Sequence, residues 1–119
     1  MEFLNKLELR GVVGRADVNA FNNNRVCNFA VVTENSGVDR EGNSTVDATW
    51  FNVTAWNGVQ GLPNLDLLQK GIWVHVIGRV RVRKYTTQEG EERSVSDVLA
   101  RRVEILPRED EPMQPERNY

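Results

Sequence analysis

Residues 49–86 have the sequence TWFNVTAWNGVQGLPNLDLLQKGIWVHVIGRVRVRKYT, and this stretch decides the fold. It begins and ends with alternating runs of β-branched and aromatic residues, the pattern of strands that bury one face. Between these runs, residues 61–70 place Leu65 and Leu68 on one side and precede Gly71, which predicts a short helix with a glycine cap. A strand, a short helix and a strand therefore follow one another in the middle of the chain.

Three more strands are predicted outside this stretch. With the two central ones, the five predicted strands cover residues 5–13, 26–33, 49–56, 72–86 and 93–106. Gly11 and Gly14 predict a bend or bulge in the first strand, and residues 21–24 predict a polar turn. Residues 34–48, ENSGVDREGNSTVDA, are rich in turn-forming residues and predict a long exposed hairpin loop.

Five strands with a single helix between the third and the fourth predict an all-β fold, a five-stranded Greek-key barrel of the OB type. Barrels of this type bind oligonucleotides or oligosaccharides on one face. A β-sandwich would need more strands and has no place for a helix at this point. The predicted barrel domain covers residues 1–106.

Residues 107–119, PREDEPMQPERNY, differ from the rest in composition because they contain three prolines and almost no apolar side chains. They predict a disordered acidic tail. The barrel residues 1–106 hold 13 acidic and 13 basic side chains, so the tail accounts for the net charge of −2. The overall charge therefore hides how the basic residues are placed within the barrel.

Length and composition exclude several classes of protein. A chain of 119 residues is long enough for one core, and no run approaches the roughly 20 apolar residues of a membrane helix, so we expect no membrane partner. The single cysteine, Cys27, excludes an internal disulfide and a thiolate metal site and favours the reducing cytoplasm. Because His75 has neither a second metal ligand nor a nucleophile at informative spacing, we predict no catalytic residue, metal or cofactor, and no enzymatic activity.

The third strand is predicted to have a polar and aromatic face. Side chains alternate between faces along a strand, so Phe51, Val53 and Ala55 are expected in the core. The opposite face carries Trp50, Asn52, Thr54 and Trp56. The tryptophans on this face predict a stacking surface, and the alternative is that they cap the barrel end or fill an interface between copies of the chain.

The fourth strand is predicted to carry a basic stripe. It comprises Arg79, Arg81, Arg83 and Lys84, a local charge of +4. Because side chains alternate along a strand, Arg79, Arg81, Arg83 and Tyr85 are expected on one face, with Val80 and Val82 opposite. Aromatic rings that stack on bases, beside cations that neutralise phosphates, are what sequence-tolerant binding of single strands requires. The alternative is a solvated strand whose arginines pair with acidic residues across the hairpin, namely Glu89, Glu91, Glu92 or Asp97.

Over about residues 5–106 the sequence resembles the bacterial single-stranded DNA-binding protein family, the SSB family. The resemblance rests on NKLELRGVVGR, NFAVVTE, the Thr-Trp pair followed by FNVTAWNG, LLQKG, and IGRVRVRKYTTQEGEERS, in this order. It implies an OB fold, a homotetramer, and single-stranded DNA bound over the protein surface.

The resemblance also assigns stacking positions to Trp50, Trp56 and Tyr85. Some members have a further stacking tryptophan in the loop, but residues 36–38 of this chain, Ser-Gly-Val, contain no aromatic residue. The long tail of the family, with its acidic tip and terminal Phe, has no counterpart in PMQPERNY, so we expect poor docking of replication and repair enzymes.

Taken together, these patterns predict sequence-independent binding and protection of single-stranded DNA in replication, repair or recombination, in the nucleoid-associated cytoplasm. The predicted nucleic-acid-binding residues are Trp50, Asn52, Thr54, Trp56, Arg79, Arg81, Arg83, Lys84 and Tyr85. Two alternatives remain open: an accessory or structural OB subunit whose aromatic face a protein covers, and an RNA-binding OB module. Stacking surfaces do not distinguish RNA from DNA unless a contact recognises the 2′-hydroxyl.

Overall fold

The structure is a computed structural model that describes residues 1–107, and it forms a closed five-stranded β-barrel. The strands are β1 (Leu7–Phe21), β2 (Asn24–Val38), β3 (Ser44–Trp56), β4 (Trp73–Thr86) and β5 (Glu92–Ile105). Their order around the barrel is β1-β2-β3-β5-β4, with β4 pairing back onto β1. Only the β3–β5 pair is parallel among these contacts. This order confirms the predicted OB barrel; the predicted tail beyond Pro107 lies outside the described residues.

The first two strands are longer than predicted and meet in a two-residue turn. Phe21 pairs with Asn24, and the two residues between them, Asn22 and Asn23, have φ angles of 51° and 67°. Positive φ at both central positions is the geometry of a type I′ hairpin, and Asn tolerates it better than most side chains. The predicted polar turn is confirmed at this position.

The long hairpin loop predicted for residues 34–48 is wrong. β2 and β3 stay paired as far as Val38 and Ser44, so that the connection covers only residues 39–43. At this turn the Asp39 carboxylate accepts hydrogen bonds from the backbone N–H groups of Glu41 and Asn43, at 2.9 and 2.8 Å. The bond from Asn43 is the main reason that the pKa of Asp39 lies below its usual value.

The helix predicted within residues 61–70 is a single 3-10 turn, Leu65–Leu67. The Asn64 side chain accepts a hydrogen bond from the backbone N–H of Asp66 and so caps its beginning. The two apolar side chains that led to the prediction, those of Leu65 and Leu68, are both buried as expected. The turn therefore contributes to the core although it is too short to be an α-helix.

The core fills the barrel with mostly small β-branched side chains. Its fully buried members include Val13, Cys27, Phe29, Val31, Val53, Ala55, Val74, Val76 and Val103. Val53 and Ala55 confirm the predicted inner face of β3, and Phe51 packs at its margin. Because the inner face of β3 packs in the core, the opposite face of this strand points outward.

Candidate nucleic-acid interface

The outer face of β3 carries both predicted tryptophans. Trp50 lies opposite Val32 of β2, and Trp56 lies opposite Val26. The exposed fraction is 61% for Trp50 and 38% for Trp56. At about 3.3 Å per residue along a strand, six residues place the two tryptophans roughly 20 Å apart. Asn52 is exposed between them.

A third aromatic side chain, Phe21, belongs to the same outer face. Its ring contacts that of Trp56 in an edge-to-face arrangement, with centroids 6.3 Å apart and planes at 78°. Phe21 is 59% exposed and ends β1. In the sequence it falls within the predicted polar turn of residues 21–24, and it was not predicted as a binding residue. Side chains alternate along a strand, so Phe21 shares the outward face of Arg15 and Asp17. This parity would have indicated its position if β1 had been predicted to continue past residue 13.

Thr54 lies on the outer face but is covered. Its hydroxyl donates a hydrogen bond to Oδ1 of Asn28 at 3.0 Å and lies 3.5 Å from Oδ2 of Asp97. Only 5% of Thr54 is exposed. Its hydroxyl is therefore hydrogen-bonded within the protein. Thr54 supports the surface from below, whereas the sequence predicted that it contacts the ligand directly.

Two arginines of the predicted basic stripe are paired with one buried carboxylate. Arg81 approaches Asp97 through Nε at 3.0 Å and Nη2 at 3.2 Å, and Arg83 approaches it through Nη2 at 2.9 Å. The Asp97 side chain is 3% exposed, against 27% for Arg81 and 58% for Arg83. Cross-strand pairing, the alternative considered for the stripe, therefore holds for these two arginines.

The rest of the stripe divides between two faces. Arg79 and Tyr85 share the outer face with Arg81, whereas Lys84 lies with Val80 and Val82 on the other side of β4, as strand alternation requires. This corrects the prediction of a single basic stripe. Within residues 1–107, neither Arg79 nor Lys84 takes part in an ion pair, and both are exposed.

A shallow cavity of about 180 Å³ lies on this face, beside the β3 side chains that separate the two tryptophans. Its polar lining comes from Arg15, Asn28, Asn52, Thr54, Arg83 and Asp97. Arg15 and Arg83 offer guanidinium groups, and the two asparagines offer amides, so the lining can bind a phosphate or the polar edge of a base. Among residues 1–107, no group of His, Cys, Asp or Glu side chains is arranged to hold a metal ion, and no helix is long and apolar enough to cross a membrane.

The Single-strand binding protein family matches this chain over residues 4–106, which are most of its length. The chain belongs to this family. It is 33% identical over 105 residues to the single-stranded DNA-binding protein of Neisseria meningitidis serogroup B, an alignment covering 87% of this chain and 60% of that protein. It is 37% identical over 81 residues to the protein of the same name from Corynebacterium glutamicum, covering 66% of this chain and 35% of the relative. The chain thus spans about 60% of the length of the Neisseria proteins it matches.

Solved structures share the fold of this single-strand binding family member. The Plasmodium falciparum SSB, in complex with single-stranded DNA, superposes with a TM-score of 0.75 at 23% identity, over 90% of this chain and 98% of that one. The wild-type single-stranded DNA-binding protein of Thermus aquaticus gives a TM-score of 0.71 at 24% identity, over 87% of this chain and 50% of that one. At these identities the likeness establishes the OB barrel.

The three positions that the family resemblance assigns to stacking are all exposed in this single-strand binding family member. Trp50, Trp56 and Tyr85 have exposed fractions of 61%, 38% and 51%. Trp50 and Trp56 project from β3, and Tyr85 projects from the far end of β4, opposite Arg93. The face therefore combines flat apolar rings with cations over the length of two strands.

Proposed function

We propose that this chain binds single-stranded DNA without sequence preference, stacking bases on Trp50, Trp56 and Tyr85 while exposed basic side chains neutralise phosphates. The observation that carries the proposal is the exposure of Trp50 and Trp56, at 61% and 38%, on one outer face. Tryptophan is usually buried to a large extent, so two exposed indoles on one strand need a ligand with flat faces. Single-stranded nucleic acid supplies such faces together with negative charge.

We expect this surface to prefer single strands over duplexes, because only an unpaired strand has accessible base faces. In a duplex the faces are stacked on one another, and only base edges and phosphates are accessible to a protein. An indole can stack on a base only where the strand is unpaired. The aromatic side chains of this surface are therefore suited to unpaired strands.

Family membership supports a proposal for the wider role. Relatives in Neisseria meningitidis and Corynebacterium glutamicum carry the name single-stranded DNA-binding protein. We propose that this chain likewise covers and protects single strands during replication, repair or recombination, as a non-enzymatic protein of the nucleoid-associated cytoplasm. We also propose that it acts as a homo-oligomer, in keeping with the homotetramer that the family resemblance implies.

A fluorescence titration tests the function. Oligo(dT), a matched duplex and a matched RNA are each added to the protein while tryptophan emission is followed. We expect strong quenching by oligo(dT) and little by the duplex. Trp50→Ala and Trp56→Ala should each weaken binding, whereas Trp73→Phe, which changes a tryptophan of the β1–β4 surface, should not.

The outcomes separate the candidate functions. Stacking on one base is worth about 1–3 kcal/mol in single-strand-binding proteins as a class, so each alanine variant should lose at least about five-fold in affinity. If oligo(dT) neither quenches nor binds, a protein partner on this face becomes the better explanation. If RNA binds much more tightly than DNA, the RNA-binding alternative replaces the proposal.

A further inference from the structure

Gly14 occupies a bulge in β1, close to the benzo ring of Trp50. The register of β1 against β2 shifts between Val13 and Arg15, so Gly14 has no directly opposed partner on β2. At a bulge, consecutive residues lose the strict alternation of faces. Gly14 can therefore face outward next to Arg15, on the side of the sheet where Trp50 projects.

The benzo ring of Trp50 fills the space that a side chain at position 14 would need. A Cβ atom built on Gly14 would lie 2.7 Å from Cη2 of Trp50 and nearer still to Cζ3. Carbon atoms in good contact are about 3.5–4.0 Å apart, so the ring and the Cβ cannot coexist. Trp50 projects from β3 and thus reaches across β2 to β1 only because position 14 has no side chain.

The other glycines of residues 1–107 have different surroundings. A Cβ at Gly11, Gly61 or Gly78 would meet a backbone carbonyl group first. At Gly37 it would meet only the hydroxyl of Thr45, at 3.2 Å. The remaining glycines lie in turns with a positive φ and open space around them. Within the described chain, Gly14 is the glycine whose missing side chain makes room for an aromatic ring.

We infer that Gly14 is the positioning residue for Trp50, and this inference rests on the function proposed above. One side of the indole lies against β1 at Gly14, while 61% of Trp50 remains exposed and accessible to a base. A ring already held in place loses less conformational freedom when a base stacks on it. Moving the ring should therefore weaken binding even though Trp50 itself is unchanged.

Gly14→Ala tests this directly. The φ angle at Gly14 is not in the left-handed region, so the backbone can accept alanine and the steric conflict falls on the Trp50 ring. We expect oligo(dT) affinity to fall by at least about five-fold, the lower end of what a stacked base contributes, and by no more than in Trp50→Ala. Gly37→Ala is the matched control, a strand glycine near a single hydroxyl, and should bind like the wild type.

Two further backgrounds separate positioning of Trp50 from general damage to the barrel. In the Trp50→Ala background, Gly14→Ala should cost no further affinity, because the ring it displaces is gone. In the Trp50→Phe background the cost should also shrink, since the shorter ring lacks the outer indole atoms that meet position 14. An equal loss of affinity in all three backgrounds would overturn the inference.

A spectroscopic measurement follows the ring itself. With Trp56→Phe and Trp73→Phe, Trp50 is the only remaining tryptophan, since the chain has three. We expect Gly14→Ala to lower the fluorescence anisotropy of Trp50 and to shift its emission to longer wavelength, with Gly37→Ala changing neither. If Trp50→Ala weakens binding but Gly14→Ala changes neither affinity nor emission, the inference fails and the proposed function stands. If Trp50→Ala leaves binding unchanged, the stacking role in the proposed function fails first.

Discussion

Phe21 lies at the end of the aromatic face, where its ring meets the edge of Trp56. Edge-to-face aromatic pairs are worth about 0.5–1.5 kcal/mol beyond the area they bury. Phe21→Ala should therefore loosen Trp56 and weaken oligo(dT) binding by about two- to thirteen-fold, the range that this energy corresponds to. Titration by tryptophan fluorescence measures it. Phe3→Ala, which removes an exposed phenylalanine that precedes β1, is the control and should bind like the wild type.

The buried thiol of Cys27 should make the stability of the fold depend on pH in the alkaline range. Cys27 is a fully buried residue of β2, and burial raises the pKa of its thiol from 9.0 to about 11. The unfolded thiol therefore loses its proton at a lower pH than the folded one, so the free energy of unfolding falls as pH rises from 9.0 to about 11. Chemical denaturation across this range should show a steeper fall for the wild type than for Cys27→Ala.

The same burial predicts slow thiol chemistry. At pH 8 the folded protein should react with Ellman's reagent only at the rate at which it opens, and fully once unfolded in denaturant. Reaction of the folded protein at the rate of a free thiol would contradict the buried placement of Cys27.

The hairpin of β4 and β5 distinguishes arginines that stabilise the fold from arginines that are free to bind. Arg81 holds the buried carboxylate of Asp97, so Arg81→Ala should lower the free energy of unfolding by about 1.5–3 kcal/mol, the value of a hydrogen bond to a charged group. Arg79 forms no ion pair within residues 1–107, so Arg79→Ala should leave stability unchanged and weaken DNA binding. Thermal unfolding and oligo(dT) titration of both variants test the contrast, and equal stability of the two would contradict it.

This hairpin also shows how far sequence patterns reach. Alternation correctly placed Arg79, Arg81 and Arg83 on one face, because the period of a strand is local. It could not determine that Asp97 lies directly opposite Arg81, since that depends on the register between two strands. Asp97 was one of four acidic residues considered as partners. The same period, applied strictly, already separates Lys84 from the arginines.

The β2–β3 hairpin shows a second limit. Residues 34–48 contain the Gly, Asn and Ser of a loop, and most of their side chains are exposed on both faces of a two-stranded ribbon. Without a buried face there is no alternation of apolar and polar residues to mark a strand. The contact of Gly14 with Trp50 was out of reach for a different reason, because 36 residues and an intervening strand separate them.

At the scale of the whole molecule, exposed apolar side chains predict self-association. Val80 and Val82 are 38% and 62% exposed on the face of β4 that turns away from the arginines, and this part of β4 pairs with β5 alone. Before Val98, β5 pairs with β4 and not with β3, so Val82 lies in a ribbon of two strands. Such ribbons are marginally stable by themselves, so a second copy covering this one would be stabilising. Light scattering coupled to size exclusion should give a multiple of the 13.6 kDa chain mass. A monomer mass at micromolar concentration would contradict the proposed homo-oligomer.

The ionic-strength dependence of binding depends on how many cations of the outer face remain available. Arg81, Arg83 and Asp97 together carry a charge of +1, and Arg79 adds one more, so the face of β4 offers two positive charges where the sequence predicted a stripe of four. Arg15, which also lies on the outer face, is balanced by Asp17 at 3.9 Å. Each phosphate neutralised on a single strand contributes about −0.7 to the slope of log K against log salt concentration, so two contacts give about −1.4 and four give about −2.8.

Titration of an oligo(dT) short enough to contact one protomer, at several salt concentrations, measures this slope. We expect about −1.4 for the wild type, and a slope smaller in magnitude by about 0.7 for Arg79→Gln, because one phosphate contact is lost. Arg40→Gln, which removes an exposed arginine in the turn between β2 and β3, should leave the slope unchanged. A wild-type slope near −2.8 would mean that both Arg81 and Arg83 leave Asp97 and that Lys84 reaches the strand from the opposite face. Loss of the buried Arg81–Asp97 pair would then accompany binding, and Asp97→Asn would raise DNA affinity.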